Sequence, residues 1–391
     1  MLRDEIREHL TQCIIPFWER MKDGEYGGFY GYMGYDLELD KRAVKGCILN
    51  SRILWFFSNA YMLLGDKELL SYAKHSFEFL KDHCIDRKYG GVYWSVTYDG
   101  QPCETIKHTY NQAFAIYALS SYYRASGDKE ALEIADKLFD LIESVCRDDK
   151  GYLESFTEDF NPEDNEKLSE NGVTAARTMN TLLHVFEAYT EFYAASGLEK
   201  AGRCMRQILD IFAEKVYDPD KKRQEVFFDE DWNSLIDLHS FGHDIETAWL
   251  VDRGCEILGD VGYTEKMRPI TKALEECVFE KAYHNCSLAN EAESGTVDTT
   301  RVWWIQAEAM VGYMNAYQKY PEHKEYLDAV GDIWDFIKKY IIDKRGGSEW
   351  FWCVDESGAP TDGKPIADPW KCPYHNGRMC IEIIRRTENA S

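Results

Sequence analysis

The sequence predicts an all-α protein: an (α/α)6 barrel of six inner and six outer helices, with short β-hairpins at one mouth. Three observations carry that expectation. Uniformly apolar helical stretches alternate with amphipathic ones, the alternation recurs with a long period, and the two ends are complementary. Helices apolar all round are buried, and those with one apolar stripe lie outside. A period of roughly 60–70 residues with two helices per unit implies a solenoid or a closed ring. A solenoid needs polar end caps, yet this C-terminal stretch, Met379 to Ile384, is apolar. The last inner helix has no outer partner after it and the first helix has no inner partner, so pairing them closes the ring.

The elements follow in order. Leu2, Ile6, Leu10, Cys13 and Phe17 stand at helical spacing and predict a first, outer helix over 2–22. The Gly/Tyr segment Asp23 to Tyr32 predicts a tight hairpin. Asn50 to Met62 is almost uniformly apolar, Gly65-Asp66 breaks it, and 68–84 is amphipathic; Tyr89 to Trp94 is a second Gly/aromatic hairpin. The second unit repeats this order from Thr109, with a break at Gly127-Asp128, and the third from Thr178, with a break at Ser196-Gly197. The fourth unit opens at Gly242, the fifth at Arg301 and the sixth at His375. Asn50, Asn111, Asn180, His243, Trp303 and His375 serve as landmarks of the six units. No low-complexity linker or shift of composition interrupts them, so residues 1–391 are expected to form one domain.

Composition narrows the function. Net charge is −24, and a strongly acidic surface repels phosphate backbones and anionic lipids. Neither nucleic acid nor a membrane is expected as a partner, and no 18-residue apolar run is present. The N-terminus, Met1 to His9, has no apolar signal core. The twelve cysteines include no C-x-x-C pair, so they are expected to be reduced, mostly buried and cytoplasmic.

If the inner helices run parallel, their N-terminal turns open into one mouth. Those turns carry Arg52; Tyr110 and Asn111; Asn180 and His184; His243 and Glu246; Trp303, Trp304 and Glu308; His375 and Arg378. An unpaired buried polar group costs roughly 1–3 kcal/mol, so one at the same point of every unit marks a ligand pocket. Trp370 to Arg378 concentrates an indole, a phenol, an imidazole and a guanidinium in one short stretch. Pro373 fits the first turn of a helix, and His375 and Arg378, three apart, share its face.

His243 and Glu246 also share a face, and a carboxylate beside an imidazole raises its basicity and can fix its tautomer. That suits a general acid/base. A metal site is the competing arrangement, but there is no H-E-x-x-H and Arg52 and Arg378 add positive charge. With no P-loop and no G-x-G-x-x-G after a strand, neither metal nor cofactor is expected. Trp303, Trp304 and Trp370 offer flat faces to sugar rings; Trp303 and Trp304, being adjacent on a helix, cannot both face the axis squarely. Two histidines across an aromatic, neutral pocket suggest proton transfer at carbon, with Arg52 stabilising an enediolate. Glu246 and Glu308, on different helices, leave an inverting glycosidase open.

Longer stretches then match in order along the chain: Ile15-Pro-Phe-Trp18, Gly27-Gly-Phe-Tyr-Gly31, Ser51-Arg-Ile-Leu-Trp55, Lys107-His-Thr-Tyr-Asn111, Gly242-His-Asp-Ile-Glu246, Thr300-Arg-Val-Trp-Trp304, Gln306-Ala-Glu308 and Trp370-Lys-Cys-Pro-Tyr-His-Asn-Gly-Arg378. In these the sequence resembles the N-acylglucosamine 2-epimerase family. The resemblance implies an (α/α)6 barrel that epimerises C2 of a reducing-end glucose or mannose without a cofactor. It implies His243 and His375 as the acid/base pair, supported by Arg52, His184 and Glu246. Tyr110, Asn111, Asn180, Trp303, Trp304, Glu308, Trp370 and Arg378 are then expected to bind substrate. The expected partner is a small β-1,4-linked disaccharide, bound by a monomer. An aldose–ketose isomerase, an N-acetylglucosamine or mannose 2-epimerase, and a glycosidase or glycan-binding toroid are the alternatives.

Overall fold

The computed structural model describes residues 2–165, 167–168, 171–361 and 363–388. The first outer helix is α1 (Leu2–His9) and α2 (Ile15–Arg20), joined by a π turn at Leu10–Ile14. Inner and outer helices then alternate. Inner α3 (Cys47–Leu64) is followed by outer α4 (Lys67–Phe79), and inner α5 (Thr109–Ser126) by outer α6 (Lys129–Leu141). Inner α7 (Met179–Ser196) precedes outer α8 (Glu199–Ile211), and inner α9 (Phe241–Leu258) precedes outer α10 (Val261–Ala282). Inner α11 (Trp303–Lys319), outer α12 (Lys324–Phe336) and inner α13 (His375–Glu388) complete the set.

Successive inner helices pack side by side, and α13 packs on both α11 and α3, which closes the ring. The N-terminal helix lies on α13, and an Arg7–Glu388 ion pair at 2.8 Å joins the two ends of the described chain. The barrel is therefore the (α/α)6 architecture expected from the sequence. All twelve cysteines are free. Among the described residues no helix is long and apolar enough to cross a membrane.

The breaks between paired helices have one chemistry. Gly65, Gly127, Gly197 and Gly259 all take positive φ, with nothing near a would-be Cβ. They are there for the left-handed backbone that ends a helix, not for space. Asp66, Asp128 and Asp260 follow directly, and their side chains accept N–H groups of the next helix's first turn.

At the opposite end, four of the six inner helices are anchored to the hairpin before them by their fourth residue. Asn50 Oδ1 accepts Phe29 N–H at 3.1 Å, and Gln112 Oε1 accepts Val92 N–H at 2.6 Å. Asp244 Oδ1 accepts Gln224 Nε2–H at 2.9 Å, and Gln306 Oε1 accepts Leu288 N–H at 2.9 Å. These contacts correct the landmarks taken from the sequence. The equivalents of Asn50 are Gln112, Asp244 and Gln306, not Asn111, His243 and Trp303. α3 likewise starts three residues before Asn50, because extended Gly46 caps it, and α13 starts at His375, two residues after Pro373.

A buried cation locks each of the first hairpins. Lys45 pairs with Asp23 at 2.6 Å, Lys107 with Asp86 at 2.6 Å, and Arg177 with Asp148 at 2.5 Å. Lys107 Nζ also donates to Gly90 O at 3.0 Å, so its ammonium is satisfied inside the protein. Where the first hairpin passes α4 the fit is tight. A Cβ on Gly28 (φ +63) would lie 2.6 Å from the Phe79 ring.

Removing one partner of a fully buried pair leaves the other charge without compensation, at a cost of about 3–5 kcal/mol. Asp86→Ala, which strands Lys107, should lower unfolding free energy by that amount in a urea titration. A loss below about 1 kcal/mol, the range of surface pairs, would show that the ammonium finds water instead.

Candidate active site

The hairpin anchors hold the N-terminal turns of the inner helices around a cavity of about 300 Å³. On a helix, residues four apart share a face, and here the second and sixth residues look down the axis. They are Tyr110 and Phe114 on α5, Asn180 and His184 on α7, Gly242 and Glu246 on α9, and Trp304 and Glu308 on α11. Arg52 is the sixth residue of α3. Arg52, Tyr110, Asn180, His184, His243, Glu246, Trp303, Trp304, Trp370 and His375 all line the cavity, as expected.

Three expected ligand contacts lie elsewhere. Asn111 is one step off the axial face; its Nδ2 donates to Tyr93 O at 2.8 Å and holds a hairpin. Glu308 stands behind His375, with Oε1 2.7 Å from Nδ1. Arg378 is beneath the floor and fully enclosed by acids. Its Nη1 donates to Glu187 Oε1 at 2.5 Å and to Tyr374 Oη. Its Nη2 donates to Glu308 Oε1 at 2.7 Å and to Glu246 Oε1.

That arrangement also overturns the expected His243–Glu246 pair. Glu246 turns toward Arg378, and His243 Nδ1 faces Ser240 Oγ at 2.7 Å. The imidazole–carboxylate pairs are His375 with Glu308 and His184 with Glu187, the latter at 2.8 Å. Both tryptophans of α11 reach the site. Trp304 contacts both histidines, its ring 4.8 Å from His243 and 5.3 Å from His375. Trp303 is almost wholly buried, edge-on to His375 at 5.4 Å.

The electrostatics leave the imidazoles uncharged. Burial pushes His243 down to about 3, with His184 adding to the effect. Burial, Arg378 and Arg52 hold His375 well below its usual value. Burial lowers His184 too, against the pull of Glu187. Burial and the charge of Glu308 push Glu246 up to about 8 despite Arg378. Glu246 Oε2 has no partner in the protein, whereas both oxygens of Glu308 accept hydrogen bonds, Oε2 from Trp249 Nε1 at 3.0 Å. Burial raises the Glu308 carboxyl as well, against the pull of Arg378, so the two acids resist ionising together. Arg378 is balanced by the carboxylates around it, while Arg52, Lys167 and Glu291 bring charges of both signs to the lining of the cavity.

Arg52 opens on the ligand space from the barrel wall. Its Nη2 donates to Tyr110 Oη at 2.8 Å, and its guanidinium lies over the Phe114 ring at 4.2 Å and the Tyr374 ring at 4.8 Å. Among the described residues no carboxylate pairs with it, so it remains free to face a developing oxyanion. Glu246, Glu308 and His375 could together bring three ligand atoms to a metal ion. The fit is poor, because the Arg378 guanidinium already donates to both glutamates and a second cation there meets direct repulsion.

Several functional side chains escaped the sequence. Ser240 and Glu187 stand three residues from His243 and His184, a spacing that gave a signal once both partners were known to be buried. Tyr374 lay unassigned inside the C-terminal stretch. Lys167, Leu168, Asn290 and Trp352 reach the cavity from loops and Glu291 from the start of a short strand, and no periodicity marks such segments.

The model of the N-acylglucosamine 2-epimerase (GlcNAc 2-epimerase) family matches residues 4–376. A cellobiose 2-epimerase from Ruminococcus albus is 52% identical, over 99% of both chains. A solved sugar epimerase from a ruminal bacterium superposes with a TM-score of 0.97 at 52% identity, covering 99% of each chain. The cellobiose 2-epimerase of Bacillus thermoamylovorans B4167 gives 0.95 at 45% identity, over 98% of this chain and 99% of that one. A family match across nearly the whole chain, joined to this helical ring and its buried histidines, leads to one conclusion: the chain belongs to the N-acylglucosamine 2-epimerase family.

Proposed function

We propose that the protein epimerises C2 of the reducing-end sugar of β-1,4-linked disaccharides, converting cellobiose to glucosyl-mannose and lactose to epilactose. The observation that carries this reading is the pair of uncharged imidazoles, His243 and His375, both in contact with Trp304 and sharing one cavity with Arg52. The relatives at 45–52% identity named cellobiose 2-epimerase support the substrate class.

The chemistry follows from the open-chain aldose. One imidazole nitrogen takes the proton from C2, the C–H electrons form the C1–C2 double bond, and negative charge moves to O1. Arg52 stabilises that oxyanion as a preorganised donor. A proton returned to the opposite face of C2 restores the carbonyl and inverts the centre. Opening the pyranose also moves a proton between O1 and O5. His243 and His375 share these tasks, either as two bases across a fixed enediolate or as one base acting twice. His184 supports them, and protonated Glu246 offers its hydrogen to a sugar hydroxyl. A metal ion has little place in this scheme, since Arg378 already binds the two glutamates that would hold it.

Glycoside hydrolysis fits less well. Inversion there needs two carboxyl groups facing each other across the scissile bond, and Glu246 and Glu308 lie side by side on one guanidinium nitrogen. The twelve free cysteines suit a reducing cytoplasm.

Incubation with cellobiose in deuterated water, followed by NMR at C2, tests the assignment. A mannose-ended disaccharide is the expected product; a ketose would indicate isomerisation, and free glucose hydrolysis. A proton shielded by one base returns undiluted, whereas two bases bring in solvent deuterium. His243→Asn and His375→Asn should each lower kcat by about 10²–10⁴-fold with the fold intact by circular dichroism. The double variant should be little worse than either single one. A folded His375→Asn protein of near-normal kcat would remove that residue from the chemistry.

Trp370 stands half-buried beside Trp94, ring to ring at 5.7 Å, and is expected to stack on a sugar. Trp370→Ala should chiefly raise KM. A lower melting temperature at unchanged KM would make it a packing residue.

Glu246 sets a pH dependence. Its carboxyl is raised from 4.5 to about 8 in the fold. The stability it contributes is complete below pH 4.5 and is lost as pH rises toward 8. Glu246→Gln keeps the uncharged form, so its urea midpoint should gain on the parent between pH 5 and 8. Parallel midpoints across that range would show that Glu246 ionises normally.

A further inference from the structure

Glu187 lies below the cavity floor, buried and outside the ligand space. Its Oε2 is 2.8 Å from His184 Nδ1 and accepts the Tyr374 hydroxyl at 2.6 Å. Its Oε1 accepts Arg378 Nη1 at 2.5 Å. Arg378 donates onward to Glu308, and Glu308 Oε1 meets His375 Nδ1 at 2.7 Å. A continuous line of hydrogen bonds thus joins His184 on α7 to His375 on α13, and both imidazoles open on the same cavity.

The electrostatics keep this line fixed. Burial pushes the Glu187 carboxyl up, but Arg378 and His184 overcome it and hold the group at about 2. Glu187 is therefore ionised and can only accept hydrogen bonds. His184 must then present Nδ1–H to it, which leaves the Nε2 lone pair for the cavity.

We propose that Glu187 is a positioning residue: it holds His184 as the Nδ1–H tautomer with Nε2 turned to the sugar and, through Arg378, ties that ring to the carboxylate that orients His375. The role in turnover rests on the epimerase reading, whereas the tautomer can be measured without any substrate.

Glu187→Gln is the discriminating variant. Its single amide oxygen can serve Arg378 or His184, not both. With the oxygen on Arg378 and Tyr374, the amide N–H faces His184 Nδ1 and drives the proton to Nε2. Nitrogen-15 NMR of histidine-labelled, ligand-free protein reads the tautomer directly, with His184 identified by the signal lost in His184→Phe. The expected result is Nδ1–H in the parent and Nε2–H in Glu187→Gln. On cellobiose that variant should lose on the order of 10²-fold in kcat, with KM within about threefold. Glu187→Asp, which keeps a carboxylate, should restore the Nδ1–H form and part of the rate.

Two results overturn the proposal. One is an Nε2–H form of His184 in the parent, which decides the matter even if Glu187→Gln does not fold. The other is a Glu187→Gln protein that is less stable yet unchanged in kcat and tautomer. If the parent leaves cellobiose untouched, the epimerase reading fails while the tautomer comparison still stands or falls by itself.

Discussion

Arg378 is the interaction on which the site depends. One guanidinium, carried on the last helix, bonds to carboxylates of α7, α9 and α11. A planar fork of donors can do this where a lysine could not, since several acceptors are held at fixed angles at once. Burial makes the arrangement demanding, because any acceptor left alone is an uncompensated charge. The reward is orientation. Through Glu308 and Glu187 the same cation fixes the rings of His375 and His184, and through Glu246 it leaves one carboxyl oxygen uncommitted at the cavity. The catalytic face of the barrel is in this sense the upper surface of an ion cluster.

The barrel itself was legible because burial writes a period into the sequence. Gly–Asp breaks at 65–66 and 127–128 mark helix ends by backbone chemistry, and the structure keeps them to the residue. The site was legible in outline for the same reason: polar residues stand out on helices that are otherwise apolar. Detail was lost where two readings share one spacing. His243 with Glu246 and His184 with Glu187 are both i, i+3 pairs and Arg378 binds both glutamates, yet only the second pair closes, because His243 Nδ1 turns to Ser240 Oγ instead. Sequence spacing states which groups can meet; competition from other partners decides which do.

Asn111 fails for a related reason. It is polar, sits on the first turn of an inner helix and neighbours Tyr110, but one helical step of about 100° turns it to the hairpin. Only the partner, Tyr93 O, reveals this. The cavity rim was opaque throughout, because Lys167, Asn290 and Trp352 arrive on connections without regular structure. Those connections are nonetheless rooted by the fourth residue of four of the inner helices and by buried cations such as Lys107, so the mouth inherits the rigidity of the ring.

The Arg7–Glu388 pair gives the ring a topological property. Helices at opposite ends of the chain are spatial neighbours, so the order of the six units in sequence is separable from their order in space. A short tether across that seam, with new ends cut at the exposed turn after Gly197, would describe the same barrel by a circularly permuted chain. Arg378 would then be borne by an internal helix rather than the last one, yet its carboxylates would stand where they do now. Where the chain starts is thus a matter of genetic punctuation, and the architecture has no first unit.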